Sequence, residues 1–147
     1  MSGTYSFIDV SASLTGPTGS IDLGYGSANS EEGVTVTMTE AKNTMTVGAD
    51  GEVMHSLHAD KSGTITVTLL KTSPVNKKLS LAYNAQSQSS ATWGNNVIVI
   101  RNTASGDIST ARSCAFQKQP DFNNAKEGGT VSWVFDCGKI DQLLGEF

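Results

Sequence analysis

Thr64-Ile65-Thr66-Val67-Thr68-Leu69 decides the fold. Ile65, Val67 and Leu69 alternate with three threonines, a period of two that sends successive side chains to opposite faces of a sheet. The alternation returns in Val34, Val36 and Met38 against Thr35, Thr37 and Thr39. It returns again in Val131, Trp133, Phe135 and Cys137, set among smaller or polar residues. Threonine is β-prone and uncharged, so the second face of such a sheet is wettable. That face suits open solvent or a polar partner surface.

Outward from this stretch, further strands are predicted over Phe7–Leu14, Ile21–Tyr25, Val34–Glu40, Thr64–Lys71, Ile108–Lys118 and Thr130–Gly138. The apolar run Val97–Arg101 reads as a strand buried on both faces. Thr15-Gly16-Pro17-Thr18-Gly19-Ser20 is a turn by composition. Gly26–Gly33, carrying Glu31 and Glu32, reads as a polar loop, as does Gln119–Gly129, where Pro120 and Gly128-Gly129 oppose pairing. Ile140–Leu144 reads as a strand end or one short turn. Only one segment has helical period: Val75, Leu79, Ala82 and Tyr83 follow one another on one face, behind Ser73 as N-cap and Pro74 at the first helical position. Lys77 and Lys78 fall in its first turn, where the helix dipole disfavours them, and read as a solvent-facing pair or as contacts for an acidic partner. The whole of residues 1–147 is one domain of about seven strands and one flanking helix, about residues 74–88.

The segment at about 41–63 stands apart. Asn43-Thr44-Met45-Thr46-Val47 and Val53–His58 flank Asp50-Gly51, a hairpin signal. It is only modestly apolar, and an isolated hairpin does not bury enough surface to hold itself. It reads as a protruding arm that requires a partner.

Composition narrows the function. Charged residues make up only 16% of the 147, and the formal net charge is -4 with pI about 5.0. A surface rich in Ser, Thr, Asn and Gln with so little charge is compatible with burial against other copies. No basic face marks a nucleic-acid binder. Met1-Ser2-Gly3-Thr4 shows no basic stretch followed by an apolar run, so no secretory signal is read, and no membrane segment of ~20 apolar residues is present in the sequence.

No catalytic set emerges, so an enzyme is not expected. Neither G-x-S-x-G nor S-x-x-K occurs, and the glycine pairs lack the strand-to-helix setting of a phosphate loop. Glu31-Glu32 are adjacent and do not face each other across a cleft. His55 and His58 lie near Asp50, Glu52 and Asp60, but on a strand residues three apart point to opposite faces. No metal or other cofactor is therefore expected. Trp93 and Trp133 suggest a sugar platform as one alternative and core packing as the preferred one, since Trp133 shares a stripe with Val131 and Phe135. Cys114 and Cys137 fit no metal spacing. Cys114 reads as sharing its face with Ile108 and Phe116. If that apolar face and the one carrying Cys137 are the same side of one hairpin, the cysteines lie near each other, and a pairing of residue 114 with 137 would set Phe116 opposite Phe135, consistent with parity. Buried thiols, a disulfide within a subunit and a disulfide between subunits all remain open.

Several stretches resemble the tail tube proteins of contractile-tailed bacteriophages. They are Tyr5-Ser6-Phe7-Ile8-Asp9-Val10, Glu40-Ala41-Lys42-Asn43-Thr44-Met45-Thr46-Val47-Gly48-Ala49-Asp50-Gly51, Met54-His55-Ser56-Leu57-His58-Ala59, Leu69-Leu70-Lys71-Thr72-Ser73-Pro74-Val75-Asn76 and Ala125-Lys126-Glu127-Gly128-Gly129-Thr130. The resemblance runs almost end to end; the two cysteines are not part of it. It implies a small antiparallel β-barrel or sandwich with one flanking helix. It implies homohexameric rings with a continuous inner β-barrel, stacked inside a contractile sheath as a conduit for DNA, in the virion tail of a protein made in the host cytoplasm. Sheath, baseplate and tail-terminator proteins would be the other partners. On this resemblance Asn43, Thr44, Met45, Asp50, Gly51, His55 and His58 form an inter-subunit arm. Thr35, Thr37, Thr39, Thr64, Thr66 and Thr68 become a polar lumen face, expected to be net acidic. Four strands from each of six copies would give a barrel ~48 Å across at ~4.8 Å spacing and ~40° tilt. Side chains leave ~38 Å for a duplex ~20 Å wide. A bacterial secretion-system tube subunit and a carbohydrate-binding β-sandwich are the alternatives.

Overall fold

The computed structural model describes residues 3–24 and 29–146. Nine strands and one α-helix occur among them. Seven strands form one antiparallel sheet: β1 (Val10–Gly16), β2 (Gly19–Gly24), β3 (Asn29–Met38), β6 (Gly63–Leu70), β7 (Asn96–Asn102), β8 (Ile108–Phe116) and β9 (Thr130–Leu143). Their order is β2-β1-β7-β8-β9-β6-β3, and the sheet is open, with β2 and β3 at its edges. The other two, β4 (Asn43–Val47) and β5 (Val53–Leu57), pair only with each other.

Several boundaries differ from the sequence reading. Phe7–Asp9 is a turn of 3-10 helix, because the Ser6 side chain accepts from the Ile8 N–H and caps it. The strand therefore starts at Val10. Residues 25–28, which include Tyr25 and the first three residues of the expected polar loop, lie outside the described residues. β3 already begins at Asn29, and its ladder to β6 shifts between Asn29 and Val34. Gly33 sits in that irregularity at φ +58, where a Cβ would meet the Phe7 ring at 2.7 Å. β9 runs on through Ile140 to Leu143, so the short turn considered there is strand.

Helix α1 (Val75–Gln86) starts one residue later than expected, with Pro74 as its N-cap residue at φ -67. The Ser73 hydroxyl still accepts from the Val75 N–H at 3.4 Å. Leu79 and Ala82 are buried, as the stripe required, and so is Gln86 one turn further on. Gln86 is tolerated there because Asn96 meets its amide face to face. Gln86 Nε2 donates to Asn96 Oδ1 at 2.9 Å, and Asn96 Nδ2 donates to Gln86 Oε1 at 2.8 Å. Gln86 also donates to Thr18 Oγ1, and Asn96 to the Cys114 carbonyl. This closed network joins the helix end to the β1–β2 turn, β7 and β8 (buried amides need such partners).

The core is Leu14, Ile98, Ala111, Val67, Ile65, Phe135, Trp133 and their neighbours, with Leu79 laid over them. Phe116 sits at its aromatic centre, with ring centroids 4.8 Å from Phe135 and 5.9 Å from Trp133. In β7 Ile98 is buried, while Val97 and Val99 are half-buried, so the run is closed on one face and only partly covered on the other. The β8–β9 register pairs Cys114 with Cys137 and Phe116 with Phe135, the arrangement with which strand parity is consistent. Ile108, however, does not share their face. Ser113 adopts φ 55, and the β7–β8 register shifts opposite it. Beyond this bulge the buried residues of β8 are Ala111 and Ser109, because one extra residue exchanges the two faces of a strand.

Candidate assembly surface

The arm exists as a two-stranded ribbon. Asn43, Met45 and Val47 face Leu57, His55 and Val53 in register. Gly51 turns the tip at φ +89, and Asp50 accepts from the Glu52 N–H at 3.1 Å. Below the strands the ribbon continues through His58 N–H to the Lys42 carbonyl and Thr39 N–H to the Ser62 carbonyl. Every strand residue except half-buried Ser56 is exposed. One face collects Met45, Val47, Val53 and Leu57. The two histidines lie on opposite faces and are held locally: His55 Nδ1 by Asn43 Nδ2 at 3.1 Å and His58 Nε2 by Thr44 Oγ1 at 2.7 Å. Among the described residues no cluster of three His, Cys, Asp or Glu stands together.

The threonines line the sheet face away from the core. Thr35 pairs with Thr66 and Thr37 with Thr64. The rows continue onto β9, where Thr66 meets Val134, Thr64 meets Asp136 and Thr68 meets Ser132. Thr35 and Thr37 are exposed and Thr64 and Thr66 half-buried. Thr68 is buried, its hydroxyl 3.5 Å from that of Ser132. Thr39 lies past the end of β3, where it accepts from the Ser62 hydroxyl at 3.3 Å. Nearer the arm the same face carries Arg112, Lys139 and Asp141. Asp141 binds Lys61 at 3.2 Å and Arg112 at 3.5 Å. The Lys61 hydrogen bond, then the charges of Lys61, Lys139 and Arg112, hold its carboxyl below the usual Asp range. The Ser62 hydroxyl and N–H do the same for Asp60.

Cys114 and Cys137 are free and buried, their sulfurs 3.0 Å apart. The Cys114 S–H donates to Cys137 Sγ. That bond, and then burial, push the Cys114 thiol pKa up, while accepting it draws Cys137 down. Neither tryptophan offers an open platform. Trp133 is buried with its Nε1 donating to Asn76 Oδ1 at 3.0 Å, and half-buried Trp93 packs against Tyr83 and Phe116. The sugar-binding alternative loses its basis. No helix among the described residues is long and apolar enough to cross a membrane.

This seven-stranded antiparallel sheet with one helix matches the fold of contractile-injection tube proteins. The chain superposes on a chain of an extracellular contractile injection system's PVC sheath-tube complex with a TM-score of 0.58 at 11% identity, covering 96% of this chain and 92% of that one. It matches a chain of the PVC sheath/tube terminator structure at 0.55 and 12% identity, covering 97% and 98%. It matches one of the anti-feeding prophage cap at 0.55 and 9% identity, covering 99% and 95%. No curated protein sequence matches it. Residues 1–145 match the family model of the bacteriophage PhiTE tail tube protein, and the chain belongs to that family. The family is one of structural tube proteins.

Proposed function

We propose that this chain is the repeating subunit of a phage tail tube, assembling into hexameric rings that stack into a conduit for DNA within a contractile sheath. The observation that carries the reading is the β4–β5 ribbon, exposed along all its length but Ser56 and, among the described residues, paired with nothing else in its own chain. An isolated hairpin of this size is marginal in water. A neighbouring copy supplies the missing surface. The open sheet points the same way: its edge strands β2 and β3 leave backbone groups for neighbours, and joining edges across copies yields one inner barrel.

The threonine rows of β3, β6 and β9 then line the bore. A hydroxyl wall offers duplex DNA a wet surface without charge anchors, so the duplex slides. The wall is polar, and on this face Asp136 and Asp141 stand beside Arg112 and Lys139. Sheath, baseplate and terminator proteins are its partners, the virion tail its destination and the host cytoplasm its place of synthesis. A secretion-type tube remains the second reading, favoured by the fold likeness to an extracellular injection system. Negative-stain microscopy of the purified protein tests the main claim: rings or tubes are expected, and dispersed monomers at high concentration refute it. Finding the chain in purified virions separates the two readings.

A further inference from the structure

We infer that Cys114 and Cys137 are a modification site: the two thiols close into a disulfide within one subunit once the protein leaves a reducing compartment. The bond stands on the fold alone. Its timing rests on the tail reading above, in which the subunit is made in a cytoplasm and ends in a released particle. Disulfides persist outside cells and are reduced in the cytosol.

Backbone position comes first. β8 and β9 set residue 114 directly opposite 137. One step beyond β8, the Gln117 N–H donates to the Val134 carbonyl at 2.9 Å. Hydrogen-bonded and non-hydrogen-bonded pairs alternate along an antiparallel ladder, so 114–137 falls on a non-hydrogen-bonded pair. The Cα atoms of such a pair stand about 4.5 Å apart, inside the ~4.4–6.8 Å that a disulfide spans.

The side chains agree. The sulfurs are 3.0 Å apart, with the Cys114 S–H directed at Cys137. About 1 Å of approach brings them to bonding distance. The same row continues to Asn96 on β7 and to Gly63 on β6. Asn96 commits its amide to Gln86 and to the Cys114 carbonyl, and Gly63 has no side chain, so along the row each sulfur meets only the other. Two thiolates sharing a zinc ion would stand ~3.8 Å apart at ~2.3 Å per Zn–S bond, and among the described residues no third His, Cys, Asp or Glu stands with them. The spacing favours sulfur over a shared metal.

Cys137, whose thiol is drawn down by the bond it accepts from Cys114, is the attacking sulfur. With a low-molecular-weight disulfide as oxidant, the Cys137 thiolate breaks the oxidant's S–S bond and releases one thiol, leaving a mixed disulfide. Cys114 then attacks the Cys137 sulfur, gives up its proton and displaces the second thiol. The subunit loses two hydrogens and two electrons, and the oxidant takes both. Cys114 is 0% and Cys137 3% exposed, so exchange passes through a local opening of the ladder. The ladder already skips one pair beside them, at Ser113 and Gly138. Once made, the bond ties β8 to β9 at this irregular point. It also closes a loop of 23 residues that contains the exposed 117–129 segment, which restricts the unfolded chain.

The test compares one sequence in two states. Purified protein equilibrated with glutathione disulfide and then alkylated is expected to lose two hydrogens by intact mass and to take up no alkyl group. It should melt about 10 °C above the same sample in dithiothreitol. Cys114→Ala and Cys137→Ala should each melt alike in oxidant and reductant. Persistent thiols, a lasting glutathione adduct or a link between chains overturns the bond, and a melting temperature that the reductant leaves unchanged overturns the bracing of the sheet. Acid-quenched alkylation fixes the timing: two alkylated cysteines are expected in producing cells and none in released particles. Alkylated chain in the particles overturns the timing. Particles that lack the chain overturn the tail reading and leave the bond standing.

Discussion

Replacing Met45 and Leu57 by serine removes the broadest part of the arm's apolar face and tests whether that face is buried on assembly. In the single chain Met45 is 58% and Leu57 82% exposed. Covering both fully therefore buries the equivalent of about one and a half side chains, or ~3 kcal/mol at ~2 kcal/mol for each apolar side chain. At 1.4 kcal/mol per tenfold, Met45→Ser with Leu57→Ser should raise the critical concentration for assembly roughly a hundredfold. The monomer should hardly notice, because exposed substitutions usually change stability by less than ~0.5 kcal/mol. Sedimentation across a concentration series gives the first quantity and urea unfolding of dilute protein the second. An unchanged critical concentration would refute the claim that this face is covered. A large loss of monomer stability would show instead that the arm packs against its own chain.

Three further outcomes follow from the interior and the ion pairs. Asn96→Ala should cost about 2–4 kcal/mol in urea unfolding, since it strands the buried Gln86 amide and the Cys114 carbonyl; a loss below ~1 kcal/mol would mean that water or rearrangement replaces the network. Asp141 has a folded pKa below its unfolded value, so its contribution to stability is present above the ordinary carboxylate range and is lost as pH falls through the folded pKa. Asp141→Asn should make the acid limb of the stability profile shallower, and an NMR carboxyl titration at or above the ordinary Asp value would contradict the Lys61 contact. Oxidising isolated protein with an azo oxidant should take one hydrogen from each thiol and join Cys114 to Cys137 inside one chain, at the registered cross-strand position. Mass spectrometry of the unreduced peptide pair checks this, and an interchain dimer would reject it.

The readable parts of this fold are those written with local period. The Thr/Ile/Val alternation gave the central strands, Asp50-Gly51 marked the arm's turn, and strand parity allowed Cys114 to stand against Cys137. Failures occur where one residue breaks period or where distant polar groups meet. Ser113 in a left-handed conformation exchanges the faces of β8 and detaches Ile108 from its expected neighbours; nothing about a serine in a polar-apolar alternation announces that. Gln86 carries no local signal of burial, because its partner Asn96 is ten residues on and contributes only once the helix crosses the sheet end.

The exposed ribbon also couples assembly to folding. Because the arm gains little from folding alone, each addition also completes a fold, so a subunit is held more firmly within the stack than at its tip. Hydrogen exchange at Met45–Val47 and Val53–His55 measures that coupling. Slow exchange in tubes and fast exchange in dilute protein is the expected pair of results, and equal protection in the two would mean the arm needs no neighbour.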